Sequence, residues 1–368
     1  MTKQKAPANF DPTGAARIRE IFDRQLNDGL HPAAALAVYT GDRLALDMVG
    51  GIADPSTGVN ANGSTLFRVF SCGKPLAAAT LWVLHDRGLV EWDTPVAHYW
   101  PRFGRHGKSG VTIRHVLTHT AGLPTTPANL GLLDFAYWDR CIAAMEEARL
   151  EYEPGSRIEY HEYTFGWLVG ELTARISSQS FEEFFTAEVA RPLGLENTYF
   201  RVPARRLARV AKILSMPGFD YPHIVSVYNM EDSYAVMVPA GSCVSTARDM
   251  ARFSSVLVCD GTVDGVQWLK PTTVAEVTSQ HATHVNEETG RRSRVGLGVW
   301  LAGSTPNAYA AEDGSATLGH GGLATCTTWG DPESGLAVAY LTTGMQPDPW
   351  YSGRPAEISR TIRNALIH

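Results

Sequence analysis

Strand-like runs lie near both ends of this chain, and the stretch between them is mainly helical. Near the start, residues 34–39 and 44–49 are apolar runs separated by Thr-Gly-Asp-Arg, which predicts a β-hairpin. Near the end, apolar runs with turn residues between them predict strands at 295–302, 326–330 and 336–343. Similar strands at opposite ends of a chain predict one sheet that both ends build.

Helical spacing of apolar residues predicts a helix at each end of the chain, over 13–28 and 355–367. Four more helices are predicted between the strands, over 76–87, 134–148, 164–176 and 180–190. We therefore expect an α+β protein in which residues 1–75 and 216–368 form a sheet lobe and residues 76–215 form an inserted helical lobe. A cleft between two such lobes is a usual place for a ligand site.

Composition excludes several classes of function. The 368 residues are 44% hydrophobic and 19% charged with a net charge of −6, which is typical of a globular protein and leaves no basic block for nucleic acid. No uncharged apolar run approaches the roughly 20 residues of a membrane helix, and the N-terminus lacks the apolar segment of a signal peptide. The five scattered cysteines contain no C-x-x-C and predict reduced thiols in a cytoplasmic protein.

A serine and a lysine stand three residues apart immediately before the predicted helix at 76–87. Ser71 and Lys74 share a helix face at this spacing, so the hydroxyl and the amine can meet. The hydroxyl would also lie at the positive end of the helix dipole, where a developing oxyanion is favoured. The alternative is a helix cap followed by a surface lysine, and Cys72 is interpreted as a small buried residue.

Two other segments are able to complete this pair. A serine needs a base, and a lysine serves as one only when burial or a neighbouring charge lowers its pKa. Tyr160, in the helical stretch, is a second candidate for proton transfer. His320, Gly321 and Gly322 form a glycine-rich segment that a substrate could approach closely. Taken singly, a tyrosine such as Tyr160 is more often a packed aromatic, and a histidine such as His320 is more often a turn residue.

The remaining motifs are not predicted to bind a metal or a cofactor. His115 and His119 have the spacing of a zinc helix, but valine replaces the glutamate of H-E-x-x-H. His281, His284 and Glu287 lie in a polar stretch that we interpret as a solvated loop. The segment 319–324 fits a loose dinucleotide fingerprint, yet a predicted strand follows it instead of a helix. The chain contains neither G-x-S-x-G nor a P-loop motif.

Six stretches, in this order, resemble the serine β-lactamase and penicillin-binding-protein superfamily, and most closely its class C-like esterase branch. They are residues 66–75, 112–124, 160–171, 240–251, 319–323 and 331–337. The resemblance implies a β-lactamase/transpeptidase-like α/β sandwich, with an antiparallel sheet, terminal helices and an inserted helical lobe. It also implies that Ser71 is the nucleophile, Lys74 its general base and Tyr160 a proton carrier. The oxyanion hole would be the backbone N–H groups of Ser71 and Leu323.

Two departures from the family pattern concern the substrate. Glu162 stands where lactamases use an asparagine, and His320 stands where they use a lysine that attracts the substrate carboxylate. A glutamate would repel an anionic β-lactam, and a neutral histidine would attract it less well. Both changes favour a neutral ester, with Glu162, His320, Gly321 and Gly322 contacting the substrate. The segment around His119 is interpreted as a structural loop.

The resemblance therefore implies a serine carboxylesterase that acts on small-molecule esters without a metal or an organic cofactor. Aromatic residues at 132–138, together with Trp350 and Tyr351, are candidates for lining its pocket or simply for packing. An acyltransferase with the same acyl-enzyme, a weak β-lactamase or D-amino-acid peptidase, and a non-catalytic binding protein remain alternatives. No nucleic acid or membrane partner is expected, and association into a homo-oligomer is left open.

Overall fold

A nine-stranded antiparallel sheet forms the centre of the protein in the computed structural model, which describes residues 9–10, 12–287, 289–304, 307–347 and 353–367. Its strand order is β10-β11-β12-β13-β14-β15-β2-β3-β4. The strands of the chain are β1 (Asn9–Phe10), β2 (Ala33–Thr40), β3 (Arg43–Asp54), β4 (Val59–Asn60), β5 (Phe67–Arg68), β6 (Leu214–Ser215), β7 (Val244–Ser245), β8 (Thr262–Val263), β9 (Val266–Gln267), β10 (Ala282–Val285), β11 (Arg292–Val295), β12 (Trp300–Leu301), β13 (Leu318–Gly322), β14 (Cys326–Asp331), β15 (Leu336–Thr342), β16 (Gly344–Met345) and β17 (Leu366–Ile367).

The α-helices lie on both faces of this sheet and in the stretch between its two halves. They are α1 (Pro12–Asn27), α2 (Lys74–Asp86), α3 (Val96–Tyr99), α4 (Ile113–Leu117), α5 (Trp138–Glu147), α6 (Thr164–Ser177), α7 (Phe181–Phe184), α8 (Pro222–Asn229), α9 (Glu231–Ala235), α10 (Ala247–Val258), α11 (Pro271–Thr278) and α12 (Arg354–Asn364). No helix within the described ranges combines the length and the apolar character that crossing a bilayer requires.

The central strand β2 is buried along its whole length because both of its faces are covered. Leu36 and Val38 point to one face, where they pack with the terminal helices α1 and α12. Ala35 and Ala37 point to the other face, where the core continues into α10, α2 and α6. Side chains alternate between the two faces of a strand, so this apolar run holds the two layers together.

The predicted sheet from both chain ends is confirmed, since β2 pairs with β15 over seven residue pairs from Leu336↔Thr40 to Thr342↔Ala34. The predicted hairpin is also confirmed as β2 and β3. A single strand at 295–302 is wrong. Gly296 and Gly298 leave the sheet there, because Leu297 N–H donates to Val277 O (2.9 Å) and Gly298 N–H donates to Leu117 O (2.9 Å).

Three predicted helices differ from the observed ones, two of them at their ends and one in helix type. The last helix stops at Asn364, because Leu366–Ile367 pairs with β1 as a strand. The predicted helix at 134–148 begins only at Trp138, after a 3₁₀ turn over Leu132–Ala136. The predicted helix at 180–190 consists of α7 followed by a π-helical segment, Phe185–Ala190. The division into a sheet lobe and a helical lobe stays a prediction.

Candidate active site

Ser71 lies in a tight turn that leads from the short strand β5 into α2. The turn is a 3₁₀ helix over Phe70–Gly73, and α2 continues from Lys74 with Pro75 in its first turn, where a missing N–H is tolerated. Phe70 has φ 48°, a left-handed conformation that is rare for a bulky residue and tends to occur at functional sites. A Cβ on Gly73 would come within 2.6 Å of Cys243, so the turn is packed tightly against its neighbours.

Lys74 is buried and directs its amine at Ser71. Its Nζ is 3.2 Å from Ser71 Oγ and donates to the carbonyl oxygen of Ala240 at 3.0 Å. Only 1% of Lys74 is exposed, and burial lowers the pKa of its amine from 10.5 to about 7, although the negative charge of Glu162 acts in the opposite direction. A substantial fraction of this lysine is therefore neutral near pH 7 and able to accept a proton.

The predicted partner Tyr160 lies beside this pair. Lys74 Nζ is 4.6 Å from the centre of the Tyr160 ring. Burial raises the pKa of Tyr160 well above its ordinary value, while the nearby hydroxyl of Ser71 acts to lower it. The phenolic oxygen is buried and has no hydrogen bond of ordinary geometry among the described residues. Tyr160 is therefore a neutral phenol that is available to donate or to relay a proton.

The segment His320-Gly321-Gly322 is part of strand β13, not a turn before a strand, and β13 packs against the turn that holds Ser71. Cys72 Sγ donates to the His320 carbonyl oxygen at 3.2 Å, and burial raises the pKa of this thiol, which keeps it protonated. A Cβ on Gly322 would lie 2.3 Å from Val69 O, so this close approach requires glycine.

The His320 ring is buried and neutral. Its Nε2 accepts a hydrogen bond from Trp300 Nε1–H at 3.1 Å, and its Nδ1 is 2.7 Å from Gly321 O, to which it donates. Burial, with Lys74 nearby, lowers the pKa of His320 to about 3. Leu323 packs in the same apolar cluster as Phe70, which places the two predicted oxyanion residues on adjoining segments.

Glu162 is exposed, two residues after Tyr160. Its negative charge acts on Lys74 and on Tyr163 and Tyr228, whose hydroxyl oxygens are 3.5 Å apart. The carboxylate therefore faces the same region as the serine–lysine pair. Its position agrees with a role in selecting substrates by charge, which stays a prediction.

The aromatic run at 132–138 divides into a packing part and an exposed part. Phe135 is buried, with its ring centre 5.0 Å from that of Tyr163 and 5.1 Å from that of Trp167. Leu133 and Tyr137 are exposed by 88% and 63%, and Trp138 is partly exposed and donates its indole N–H to Glu171 Oε2 at 2.9 Å, so the exposed side chains of this run remain available to a ligand. Trp350 and Tyr351 lie outside the described residues.

The described part of the chain contains no group of three or more histidine, cysteine, aspartate or glutamate side chains placed to hold a metal ion. His115 belongs to the first turn of α4, where its Nδ1 accepts from Thr112 N–H at 3.2 Å. The stretch around His284 is strand β10, so its interpretation as a loop is wrong. The His281 ring has a hydrogen-bond partner, since its Nε2 lies 2.8 Å from the carbonyl oxygen of Glu276.

Sequence reasoning missed three aromatic residues that surround Tyr160. His119 is buried with its ring centre 4.9 Å from that of Tyr160, and Trp300 lies at 6.2 Å. His161, the residue after Tyr160, is also fully buried, and burial lowers its pKa to about 4. All three stood in segments that the sequence had singled out, but His119 was assigned to a structural loop, and His161 and Trp300 were given no role in the site.

Comparisons with known proteins agree with this geometry. The family model described as Beta-lactamase matches residues 18–359. The chain is 30% identical to Esterase/beta-lactamase LipL of Mycobacterium tuberculosis, over 83% of this chain and 76% of that protein. It is 25% identical to Esterase EstB of Burkholderia gladioli over 98% of both chains. The crystal structure of a family VIII carboxylesterase superposes with a TM-score of 0.88 at 25% identity, over 97% of this chain and 99% of the other. These matches confirm the predicted fold class.

Proposed function

The chain belongs to the beta-lactamase family, and we propose that it is a serine carboxylesterase that forms an acyl-enzyme on Ser71. Its relatives named as esterases match it over most of their length, which supports a serine hydrolase acting on esters. The observation that carries the proposal is the 3.2 Å contact between Ser71 Oγ and a fully buried Lys74 whose pKa is lowered to about 7.

Acylation begins when neutral Lys74 removes the proton of Ser71 Oγ as that oxygen attacks the ester carbonyl carbon. The carbonyl oxygen becomes an oxyanion, which the N–H groups of Ser71 and Leu323 are proposed to stabilise. Tyr160 donates its proton to the leaving alcohol and recovers one from the Lys74 ammonium. The bond between the carbonyl carbon and the alcohol oxygen breaks, and the acyl group stays on Ser71.

Deacylation reverses these proton transfers with water in place of the alcohol. Water loses a proton to the Lys74–Tyr160 pair and attacks the acyl carbon, the bond to Ser71 Oγ breaks, and Ser71 regains its proton. Because burial raises the pKa of Tyr160, tyrosinate is not the resting base. The direction of this pKa shift supports Lys74 as the base and Tyr160 as the proton carrier.

The charges around Ser71 support a neutral substrate. Glu162 places an exposed negative charge near the pair, and His320 is held neutral by its hydrogen bonds, so neither residue offers a positive charge to a substrate carboxylate. Phe70, Leu323 and Phe219 belong to one apolar cluster, and Phe70 immediately precedes the nucleophile. Apolar surface at that position favours an uncharged acyl or alcohol group.

Slow β-lactam hydrolysis is the second candidate, since the relative from Mycobacterium tuberculosis carries both activities in its name. The two candidate functions are distinguished by comparing kcat/KM for an ester with kcat/KM for a β-lactam. We expect the ratio of kcat/KM for p-nitrophenyl butyrate to kcat/KM for nitrocefin to exceed a thousand, and a ratio below one would reverse their order.

Labelling with a fluorophosphonate, followed by peptide mass spectrometry, tests the nucleophile. We expect the adduct on Ser71, and Ser71→Ala should lose both the label and the turnover of p-nitrophenyl butyrate. Ser109→Ala, at an exposed serine, is the matched control and should keep both. Folded protein that is unlabelled at Ser71, or Ser71→Ala with undiminished turnover, would contradict the proposal.

A further inference from the structure

His119 contacts the Tyr160 segment from both sides along the chain. The residue before Tyr160, Glu159, donates its backbone N–H to the carbonyl oxygen of His119 at 3.1 Å. The residue after it, His161, donates its backbone N–H to Nδ1 of the His119 ring at 3.2 Å. One residue therefore accepts hydrogen bonds from both neighbours of Tyr160 and fixes the backbone between them.

The ring of His119 also contacts Tyr160 directly. The two ring centres are 4.9 Å apart, and His119 also stacks on Trp300 at 5.9 Å with 19° between the planes. Trp300 in turn donates to His320, which belongs to β13. The phenol is thus held by a continuous aromatic contact that extends from the loop after α4 to the strand that packs against Ser71.

The backbone conformation of His119 is a constrained one. It has φ 59°, a left-handed conformation that few non-glycine residues adopt, although histidine, asparagine and aspartate adopt it more often than the rest. Such conformations persist where the surroundings over-determine them. His119 is also 3% exposed, so its ring is placed by its contacts and not by solvent.

Geometry fixes the charge of the ring as well. Since Nδ1 accepts the His161 N–H, it carries no proton, and the ring is the neutral tautomer with its proton on Nε2. Burial, with His161, Lys74 and His320 facing it, lowers the pKa of His119 well below its ordinary value. A ring with this tautomer fixed and a depressed pKa is poorly suited to act as a general base.

We propose that His119 is a positioning residue for Tyr160: it holds the phenol against Lys74 and Ser71 through the two backbone hydrogen bonds and the ring contact. This inference rests on the proposed proton-carrying role of Tyr160. Its consequence is that any loss of activity from changing His119 passes through Tyr160, since a misplacement of about 1 Å is able to lower a rate about a hundredfold.

A double-mutant cycle tests this with p-nitrophenyl butyrate as the substrate. We expect His119→Ala to lower kcat by about tenfold to a hundredfold with KM changed less than about threefold. His119→Asn should recover part of that loss, because its side-chain oxygen is able to accept the His161 N–H and asparagine tolerates the left-handed conformation. In a Tyr160→Phe background the same His119 changes should lower kcat less than about twofold further.

The outcomes distinguish a failure of this inference from a failure of the proposed function. If Tyr160→Phe keeps full activity, the proposed role of Tyr160 fails. If Tyr160→Phe is impaired and a His119 change lowers kcat by its full factor again, the positioning inference is overturned. Should His119→Ala fail to fold, the cycle is run with His119→Asn, which keeps the hydrogen bond and removes the ring. A kcat for His119→Asn equal to that of the parent enzyme would then overturn the contribution of the ring.

Discussion

At the scale of single residues, Lys74 is the side chain on which the proposed chemistry depends most. It is an amine without a counter-ion at hydrogen-bond distance in the described residues, and its hydrogen bonds there are to a hydroxyl and a carbonyl oxygen. Desolvation disfavours the charged form of such an amine, and Glu162 compensates only in part. The same burial that makes the lysine unfavourable for stability makes it useful as a base.

We therefore expect kcat/KM for a neutral ester to rise with pH through about 7, because only deprotonated Lys74 is able to accept the Ser71 proton. Lys74→Arg should lower kcat/KM by about a hundredfold to ten-thousandfold and remove this dependence, since arginine stays protonated. Lys108→Arg is the matched control, at another fully buried lysine, and should keep the rise near pH 7. A pH profile measured from 5 to 9 checks this, and a rise that survives in Lys74→Arg would exclude Lys74 as the base.

Glu162 gives a second prediction at this scale. Replacing it by glutamine removes the exposed negative charge near Ser71, so hydrolysis of an anionic ester should improve relative to a neutral one. We expect the ratio of kcat/KM for p-nitrophenyl hemisuccinate to that for p-nitrophenyl butyrate to rise about threefold at low salt, and less at 0.5 M NaCl because of screening. Glu91→Gln removes one exposed charge elsewhere and should leave the ratio unchanged. Equal ratios in parent and Glu162→Gln would assign no selectivity to this carboxylate.

At the scale of elements, the site depends on how closely β13 approaches the turn over Phe70–Gly73. The Cys72 thiol donates a hydrogen bond to the His320 carbonyl oxygen, which holds the two segments together. The missing side chain at Gly322 allows them to approach this closely. A strand that carries larger residues at this position would be pushed away from Ser71. The glycine at position 322 is therefore explained by packing, independently of any direct contact with a substrate.

Gly322→Ala should consequently impair the enzyme. Its Cβ would lie 2.3 Å from Val69 O, and relieving that clash moves either β13 or the serine turn. Overpacking of this kind typically costs about 1–3 kcal/mol, and we expect kcat to fall by at least tenfold through the displaced turn. Gly110→Ala, where nothing lies within 4 Å of the added Cβ, is the control for the substitution itself. Urea unfolding and ester kinetics measure the two effects, and parent values for both would contradict the packing argument.

For the molecule as a whole, the sequence allowed the sheet from both chain ends, six of the twelve α-helices in the described ranges and the Ser71–Lys74 contact to be predicted, because each depends on local spacing or composition. The surroundings of Tyr160 were not predictable in this way. His119, Trp300 and His320 are far apart in the sequence and meet only in the folded protein. The break between β11 and β12 has the same origin, since Leu297 and Gly298 bond to α11 and α4 and not to neighbours in the sheet.

The apolar core suggests how the molecule unfolds. One buried cluster contains Ala35 and Ala37 of β2 together with Leu172 of α6 and Trp100, so the sheet and the helical stretch share a continuous core. The second cluster, beneath α1 and α12, is joined to the first through the two faces of the same strands. We expect elements that share strands in this way to lose their structure together, because unfolding either layer exposes apolar surface of strands that the other layer also covers.

Ile362→Ala tests this cooperativity at a site remote in sequence from Ser71. Ile362 is fully buried in α12, and truncating it should lower the free energy of unfolding by about 2–5 kcal/mol. Val266→Ala, at a side chain that is 66% exposed, should change it by less than about 0.5 kcal/mol. In urea, far-ultraviolet circular dichroism and fluorophosphonate labelling of Ser71 should lose signal at one shared midpoint, shifted down only in Ile362→Ala. Two separated midpoints would mean that the sheet and the helical stretch unfold independently. That result would support the predicted division of the chain into a sheet lobe and a helical lobe at residues 76–215.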